Sequence, residues 1–133
     1  AEHGAANPGL VANAAAFRDG EGWLDDICAY LVRNSEDLAA FVAERLPLVR
    51  MPMPEATYIA WLDVSAYDLQ PSPAAYLEEK AGVVLTEGTA CGAIGEGHVR
   101  FIFAMPHPVM MEALEKIATA LEAAPLADQR TAS

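Results

Sequence analysis

The sequence is poor in positive charge and in long apolar runs. Eight Lys and Arg residues stand against nineteen Asp and Glu residues in 133 positions, giving a formal net charge of −11. Because nucleic acids and anionic membranes are bound through clustered cations, neither is an expected partner. No apolar run approaches the roughly 20 residues that span a bilayer, and no basic segment precedes an apolar one near the start. A cytoplasmic location is therefore expected.

Cysteine is scarce as well. The two cysteines are Cys28, in a helical pattern, and Cys91, in a glycine-rich loop, and their spacing fits neither a disulfide framework nor a zinc site. Both are expected to be free thiols. Cys91, His98 and His107 lack the short repeated spacing of metal ligands, so no metal site is expected. Cys91 forms no recognisable nucleophile motif with either histidine and is interpreted as a small loop residue.

The N-terminal third is rich in helical periodicity. Residues 10–46 are predicted to form a long helical segment, with a kink or break at Gly20 and Gly22 and a stop at Pro47. Residues 1–9 are interpreted as a linker in which Asn7-Pro8 favours a turn. The polar residues 125–133 are predicted to be a flexible tail.

Residues 47–124 are predicted to form an α+β domain: a small sheet of three to four strands, mixed or antiparallel, packed with helices. One helix should begin with Ser72 as N-cap and end at Gly82, and the last should begin at Pro106. The predicted strands include a short edge strand at 48–53, the clearest strand pattern of the chain at 56–64 and another strand at 99–104. Because the last two are apolar on both faces, both faces are expected to be covered.

The most informative stretch is the glycine-rich loop and the strand that follows it. Gly92, Gly95 and Gly97 lie in a permissive loop that is expected to border a site. Arg100 lies among Val99, Phe101 and Ile102, and burying an unpaired guanidinium is costly, so an anion is expected beside it. Two sources of that anion are open: an Asp or Glu of the chain itself, or the carboxylate of a ligand. The glycines do not open a helix, which excludes a dinucleotide fingerprint.

Four stretches of the sequence together resemble a known family. They are Asn7-Pro8, AAAFRDGEGWLD at 14–25, PEATYIAWLD at 54–63 and GEGHVRFIFA at 95–104. In this order they resemble the C-terminal part of class I/II aminotransferase-like enzymes of fold type I, which use pyridoxal phosphate (PLP), and especially the cystathionine β-lyase or C–S lyase branch. The branch commonly has Asn two residues after the matching arginine, where this chain has Ile102.

The resemblance implies a small α+β domain joined by a long interdomain helix to a large PLP-binding domain of the same polypeptide, in a homodimer. It implies that Arg100 binds the α-carboxylate of an amino-acid substrate. The family's Schiff-base lysine has no counterpart at Lys80 or Lys116. This chain alone is therefore expected to hold no catalytic residue, to bind no PLP and to be inactive. The alternative hypothesis is a stand-alone acidic α+β module that binds a small anion or a protein.

Overall fold

The computed structural model describes residues 7–127 and shows an α+β fold, as the sequence predicts. The chain divides into two compact units between Arg33 and Asn34, and helix α2 runs through this division. The helices and strands, in chain order, are α1 (Asn7–Asp19), α2 (Glu21–Arg45), β1 (Ile59–Asp63), α3 (Pro73–Ala81), β2 (Thr86–Glu87), β3 (His98–Ile102) and α4 (His107–Glu122).

The first unit contains α1 and the beginning of α2, which meet at Gly20. The Gly20 backbone N–H still donates to the Ala16 carbonyl at 2.9 Å, and a Cβ at position 20 would lie 2.4 Å from that same oxygen. The break predicted at Gly20 is confirmed, and α2 then continues through Gly22 without interruption. No residue of α1 is buried, and Phe17 and Trp23 are largely exposed.

Both ends of the described chain differ from the sequence prediction. Asn7, Pro8 and Gly9 belong to α1, so the predicted turn there is wrong, because proline fits the first turn of a helix, where its missing N–H is not needed. The Asp68 N–H donates to the Pro125 carbonyl at 2.8 Å, and the Ala127 N–H donates to the Ala66 carbonyl at 3.0 Å. Residues 125–127 are therefore tied to the domain and are not a tail. The rest of the predicted linker and tail, 1–6 and 128–133, lies outside the described residues.

The second unit is built around a three-stranded antiparallel sheet in the order β1-β3-β2. Helix α3 packs against β2 and β3, and α4 packs against α3. One face of the sheet, with Leu62, Val99 and Phe101, is buried in a core whose helical members include Leu38, Phe41, Leu77, Met110, Leu114, Ile117 and Leu121. Both predicted caps of α3 are present: the Ser72 side chain accepts from the Ala75 N–H at the start, and the backbone N–H of Gly82, at φ +67°, donates to the Glu78 carbonyl at the end.

Two strand predictions are corrected by the structure. Segment 48–53 is not a strand: apart from one isolated bridge between Arg50 and Asp63 it pairs with nothing among the described residues. Pro52, which lacks a donor, keeps the pairing from extending beyond Arg50. The expected cover on both faces of the sheet is also wrong for residues 7–127, because the face opposite the core is half-exposed. We call this the open face.

The open face is defined by side chains from all three strands. Its members are Ile59, Trp61 and Asp63 of β1, Thr86 of β2, and His98, Arg100 and Ile102 of β3. None of these seven residues is fully buried. No helix within residues 7–127 has both the length and the hydropathy needed to cross a membrane.

Candidate functional site

The glycine-rich loop reaches β3 through a close contact between two glycines. It forms two short 3₁₀ turns, Gly88–Cys91 and Ala93–Gly95, which pack against each other. A Cβ at Gly95 would lie 2.0 Å from the Gly88 carbonyl oxygen, and a Cβ at Gly88 would lie 2.1 Å from the Gly95 oxygen. Both positions are buried. Since no side chain fits at either position, the contact fixes the loop relative to the start of β3.

At two other loop glycines, Gly92 and Gly97, the backbone conformation itself favours glycine. Gly92 has φ +128° and Gly97 has φ +73°, conformations that residues with side chains rarely adopt. A Cβ at Gly97 would also lie 2.8 Å from the Cβ of Ser65. These glycines shape the loop that borders Arg100. Whether any of them contacts a ligand stays a prediction.

Arg100 lies in the middle of the open face, in a row that crosses the sheet. In the strand register it pairs with Trp61 of β1 on one side and with Thr86 of β2 on the other. All three residues are half-buried. Directly paired residues of an antiparallel sheet have Cβ atoms about 4.5–5.5 Å apart, so Trp61 and Thr86 are the immediate cross-strand neighbours of Arg100.

The guanidinium of Arg100 makes one hydrogen bond within the described chain, and its partner is a thiol. The Nη1 group donates to the Sγ of Cys91 at 3.6 Å. Among the ion pairs of residues 7–127, none includes Arg100. The first of the two sources of an anion, an acidic side chain of the chain itself, is therefore not found in the part of the chain that the structure describes.

The acidic side chains on the neighbouring strands have other partners. Glu87 of β2 accepts a hydrogen bond from the Ala74 N–H at 2.8 Å, at the first turn of α3. Asp63 of β1 forms an ion pair with Arg50 at 2.7 Å and accepts the Ser65 hydroxyl at 2.6 Å. Burial acts to raise the pKa of Asp63, but the hydrogen bonds from Ser65 and the pairing with Arg50 outweigh it and lower the pKa. Asp63 is thus held as a carboxylate that is already neutralised.

An aromatic pair stands beside Arg100 on the open face. The rings of Trp61 and His98 are stacked, with centroids 5.4 Å apart and planes inclined by 25°. The Nδ1 of His98 lies 2.8 Å from the Glu96 carbonyl oxygen, and because a carbonyl only accepts, this nitrogen carries the proton of the bond. The Nε2 lies 3.9 Å from Asp63. Trp61 therefore stacks on a neighbour whose ring is held by a hydrogen bond at Nδ1.

The sequence interpretation missed Trp61 and Cys91 as neighbours of Arg100. In the sequence, Trp61 is a large apolar residue of a strand and is most simply interpreted as core or interface packing, and Cys91 is interpreted as a small loop residue. The alternation in β1 does put Trp61 on the same face as Asp63, which is a signal for a partly polar surface. The pairing of Trp61 with Arg100 depends on strand register, however, and no short turn joins these strands to fix that register in the sequence.

Neither lysine of the sequence has the surroundings expected of a lysine that anchors PLP. Lys80 of α3 pairs with Glu79 at 2.8 Å, and Lys116 of α4 pairs with Glu112 at 2.7 Å, with about half of each lysine side chain exposed. Neither lies on the open face. Within residues 7–127 there is also no group of three or more His, Cys, Asp or Glu side chains that could hold a metal ion.

Comparison with known proteins agrees with the family resemblance. No protein-family model matches the chain. The chain is 35% identical over 113 residues to the cystathionine β-lyase PatB of Bacillus subtilis, covering 84% of this chain and 29% of that protein. It is 34% identical over 103 residues to the LL-diaminopimelate aminotransferase of Desulforudis audaxviator, covering 77% of this chain and 26% of that protein.

A solved structure extends the comparison to three dimensions. The PLP-bound C–S lyase of Staphylococcus hominis superimposes with a TM-score of 0.87 at 38% identity, over 92% of this chain and 33% of that enzyme. The chain spans about a third of the length of the curated relatives it matches.

These likenesses define the class first: the homologues of the chain are PLP-dependent enzymes of which it covers about a third, which is consistent with the C-terminal domain of a fold type I enzyme. Within that class its homologues are cystathionine β-lyases and PLP-dependent C–S lyases, together with aminotransferases. The family predicted from the four sequence stretches is confirmed.

Proposed function

We propose that the chain is the substrate-facing domain of a C–S lyase or aminotransferase, and that Arg100 binds the α-carboxylate of its amino-acid substrate. The observation that carries this proposal is a half-buried guanidinium on the open face that pairs with no acidic side chain in residues 7–127. A planar guanidinium holds a carboxylate through two parallel hydrogen bonds, which fixes orientation as well as position.

The chain's own residues would contribute binding and orientation. The Gly88–Gly95 contact holds the loop, and the loop brings Cys91 to the guanidinium, so the arginine is placed before a ligand arrives. Such preorganisation matters because a substrate held in the reactive geometry reacts far faster than one free to reorient. In enzymes of this class PLP serves as the electron sink for cleavage at the α-carbon. Its binding groups belong to the rest of the enzyme.

The remaining parts of the proposal concern the whole protein. A large PLP-binding domain of the same polypeptide, assembly as a homodimer and a cytoplasmic location are supported by the family resemblance, and the first also by the coverage of about a third of each relative. The expected gene extends upstream of the codon for Ala1 by roughly 250 codons, as domain sizes suggest, and includes a lysine after a serine-rich turn. Sequencing that region tests this part directly.

The role of Arg100 is tested by Arg100→Ala and Arg100→Lys in the full-length enzyme, assayed with L-cystathionine. The alanine variant is expected to raise KM and to lower kcat/KM by about 30- to 1000-fold, corresponding to about 2–4 kcal/mol for a lost charge-assisted pair. Lysine keeps the charge but not the paired geometry, so Arg100→Lys should fall between the alanine variant and the wild type.

The matched control is Arg45→Ala, which removes the same charge from a different place. Arg45 pairs with Glu115 and Glu122 of α4 at 2.9 and 3.2 Å. Because such exposed pairs contribute little, kcat/KM should stay within about two-fold of the wild type. Unchanged kinetics in Arg100→Ala, with a normal melting temperature, would remove Arg100 from the substrate site.

A further inference from the structure

The hydrogen bond that the Arg100 guanidinium makes determines which of its N–H groups remain available. Nη1 donates to the Sγ of Cys91 at 3.6 Å, and within residues 7–127 Arg100 takes part in no ion pair. We infer that Cys91 is a positioning residue that fixes the Nη1 end of the guanidinium and leaves the edge formed by Nε and Nη2 for the substrate carboxylate. This inference rests on the proposed function of Arg100, and it goes further by naming the edge that binds and the residue that selects it.

The donors of a guanidinium lie in one plane, along two edges that can each bind a carboxylate. One edge combines Nη1 with Nη2, and the other combines Nε with Nη2. Each edge can hold a carboxylate through two parallel hydrogen bonds. The contact with Cys91 is made by Nη1, which takes no part in the second edge. Both donors of the second edge therefore have no partner within residues 7–127 and remain available for a ligand.

The position of Cys91 is itself fixed by the glycine-rich loop. Cys91 is the last residue of the first 3₁₀ turn, and the N–H of the next residue, Gly92, donates back to the Thr89 carbonyl at 3.1 Å. This turn packs against the second 3₁₀ turn and against β3, the strand that carries Arg100. The sulfur and the guanidinium therefore come from two parts of the chain whose relative position is set by backbone contacts.

The chemistry of sulfur suits this task. A thiol sulfur is a weak hydrogen-bond acceptor, so it orients the guanidinium without forming the ion pair that a carboxylate would form. A long arginine side chain loses conformational freedom when a ligand immobilises it, and a contact made beforehand removes part of that cost. The acidic residues of the neighbouring strands have other partners, since Glu87 accepts from the Ala74 N–H and Asp63 pairs with Arg50. Cys91 therefore holds the arginine while leaving its charge available to a substrate.

The test uses the full-length holoenzyme and the probe 3-(methylthio)propionate, which carries a carboxylate and a thioether but no amino group. Its binding is measured by calorimetry. Cys91→Ala, which removes the acceptor, should weaken binding about five-fold, the size expected for one hydrogen bond. Cys91→Ser, which keeps an acceptor, should stay within about two-fold of the wild type. Cys91→Asp should weaken binding by about 30-fold or more, because its carboxylate competes with the probe for the guanidinium.

The other cysteine provides matched controls. Cys28 lies on α2 and is exposed, as Cys91 is, so Cys28→Ala and Cys28→Asp should leave the affinity within about two-fold of the wild type. In an Arg100→Ala background, Cys91→Ala should change binding by less than about two-fold, because a residue that acts through another has no effect once that partner is gone. A normal affinity in Cys91→Ala, an equal loss in Cys91→Ser and Cys91→Ala, or an equal loss in Cys28→Asp and Cys91→Asp would each overturn the inference.

The failure of this inference differs from the failure of the proposed function. If Arg100→Ala binds the probe as well as the wild type does, the assignment of Arg100 is wrong and the role of Cys91 falls with it. If Arg100→Ala loses the probe while Cys91→Ala binds it with normal affinity, only the role of Cys91 is wrong. Melting temperatures within a few degrees of the wild type ensure that each variant is compared in its folded form.

Discussion

The two faces of the sheet are made by alternate residues of the same strands, yet they have opposite character. Phe101 is 1% exposed, whereas the next residue, Ile102, is 42% exposed. The core face is covered by helices of this chain. The open face presents the aromatic pair, the Asp63–Arg50 ion pair and Arg100, and among residues 7–127 no helix buries it. The core face therefore supplies stability, whereas the open face carries the residue that is proposed to bind the substrate.

This difference explains why Arg100 can be tolerated in an apolar strand. The guanidinium is not in the core, since Val99 and Phe101 on either side of it take the buried positions. The cost of desolvating an unpaired charge therefore applies only in part. The open face keeps the cation available, while the core face supplies the packing that holds the strand in place.

The difference between the core face and the open face is tested most strongly by truncating Phe101 and Ile102 in turn. Phe101→Ala should lower the free energy of unfolding by about 3–5 kcal/mol, because it leaves a cavity in the core. Ile102→Ala should cost less than about 1 kcal/mol. Urea denaturation of the chain measures both. Equal losses would mean that the open face is as well covered in solution as the core face, and repeating the measurement at several protein concentrations would show whether self-association covers it.

A smaller loss of stability is expected when the buried polar side chain of Asn34 is removed. The buried side chain of Asn34 donates to the carbonyls of Phe103 and Met105 at 2.9 and 3.0 Å, just beyond the end of β3. Asn34→Ala should cost about 1–3 kcal/mol, because both carbonyls lose their donor. Asn13→Ala on the exposed surface of α1 makes the same chemical change and should cost less than about 0.5 kcal/mol. A loss in Asn34→Ala as small as this would show that water replaces the amide.

The smallest expected loss of stability comes from replacing Asp63 on the open face, and its size depends on pH. Because the pKa of Asp63 is lower in the folded chain than its ordinary value, the unfolded chain takes up the proton first as the pH falls. The stabilisation from this carboxylate is therefore complete above about pH 5 and is lost as the pH falls through the folded-state pKa. Asp63→Asn should cost about 1 kcal/mol near pH 7 and progressively less towards pH 2.

Thermal denaturation of the wild type and Asp63→Asn across this pH range measures the difference. Arg50→Ala, which removes one of the groups that stabilise the carboxylate, should reproduce part of the effect over the same range. A difference that grows as the pH falls would have the wrong sign and would contradict the assigned pKa direction.

The sequence predicted those features that depend on neighbours close in the chain. The cap at Ser72, the helix stop at Gly82 and the break at Gly20 each follow from local backbone preferences, and the structure confirms them. The four helices and the α+β class follow from periodicity in the same way. The family could be predicted as well, because it depends on several stretches in a fixed order.

The rest depended on contacts between residues distant in the chain. Segment 48–53 has strand-like composition, but whether it pairs along its length depends on partners that composition does not specify. An apolar run such as 99–104 cannot by itself show which of its faces the same chain covers. The neighbours of Arg100 depend on register, and a shift of one residue would have exchanged Trp61 for a core residue.

The contact between Gly88 and Gly95 limits how this region could be redesigned. A library that randomises the loop in search of altered substrate range would lose nearly every member changed at either position, since even alanine collides with the facing backbone. Diversity is better placed at Thr89, Ala90 and Ile94, which point into solvent. Substitutions in this loop are therefore expected to be tolerated at its exposed positions and not at the glycine contact.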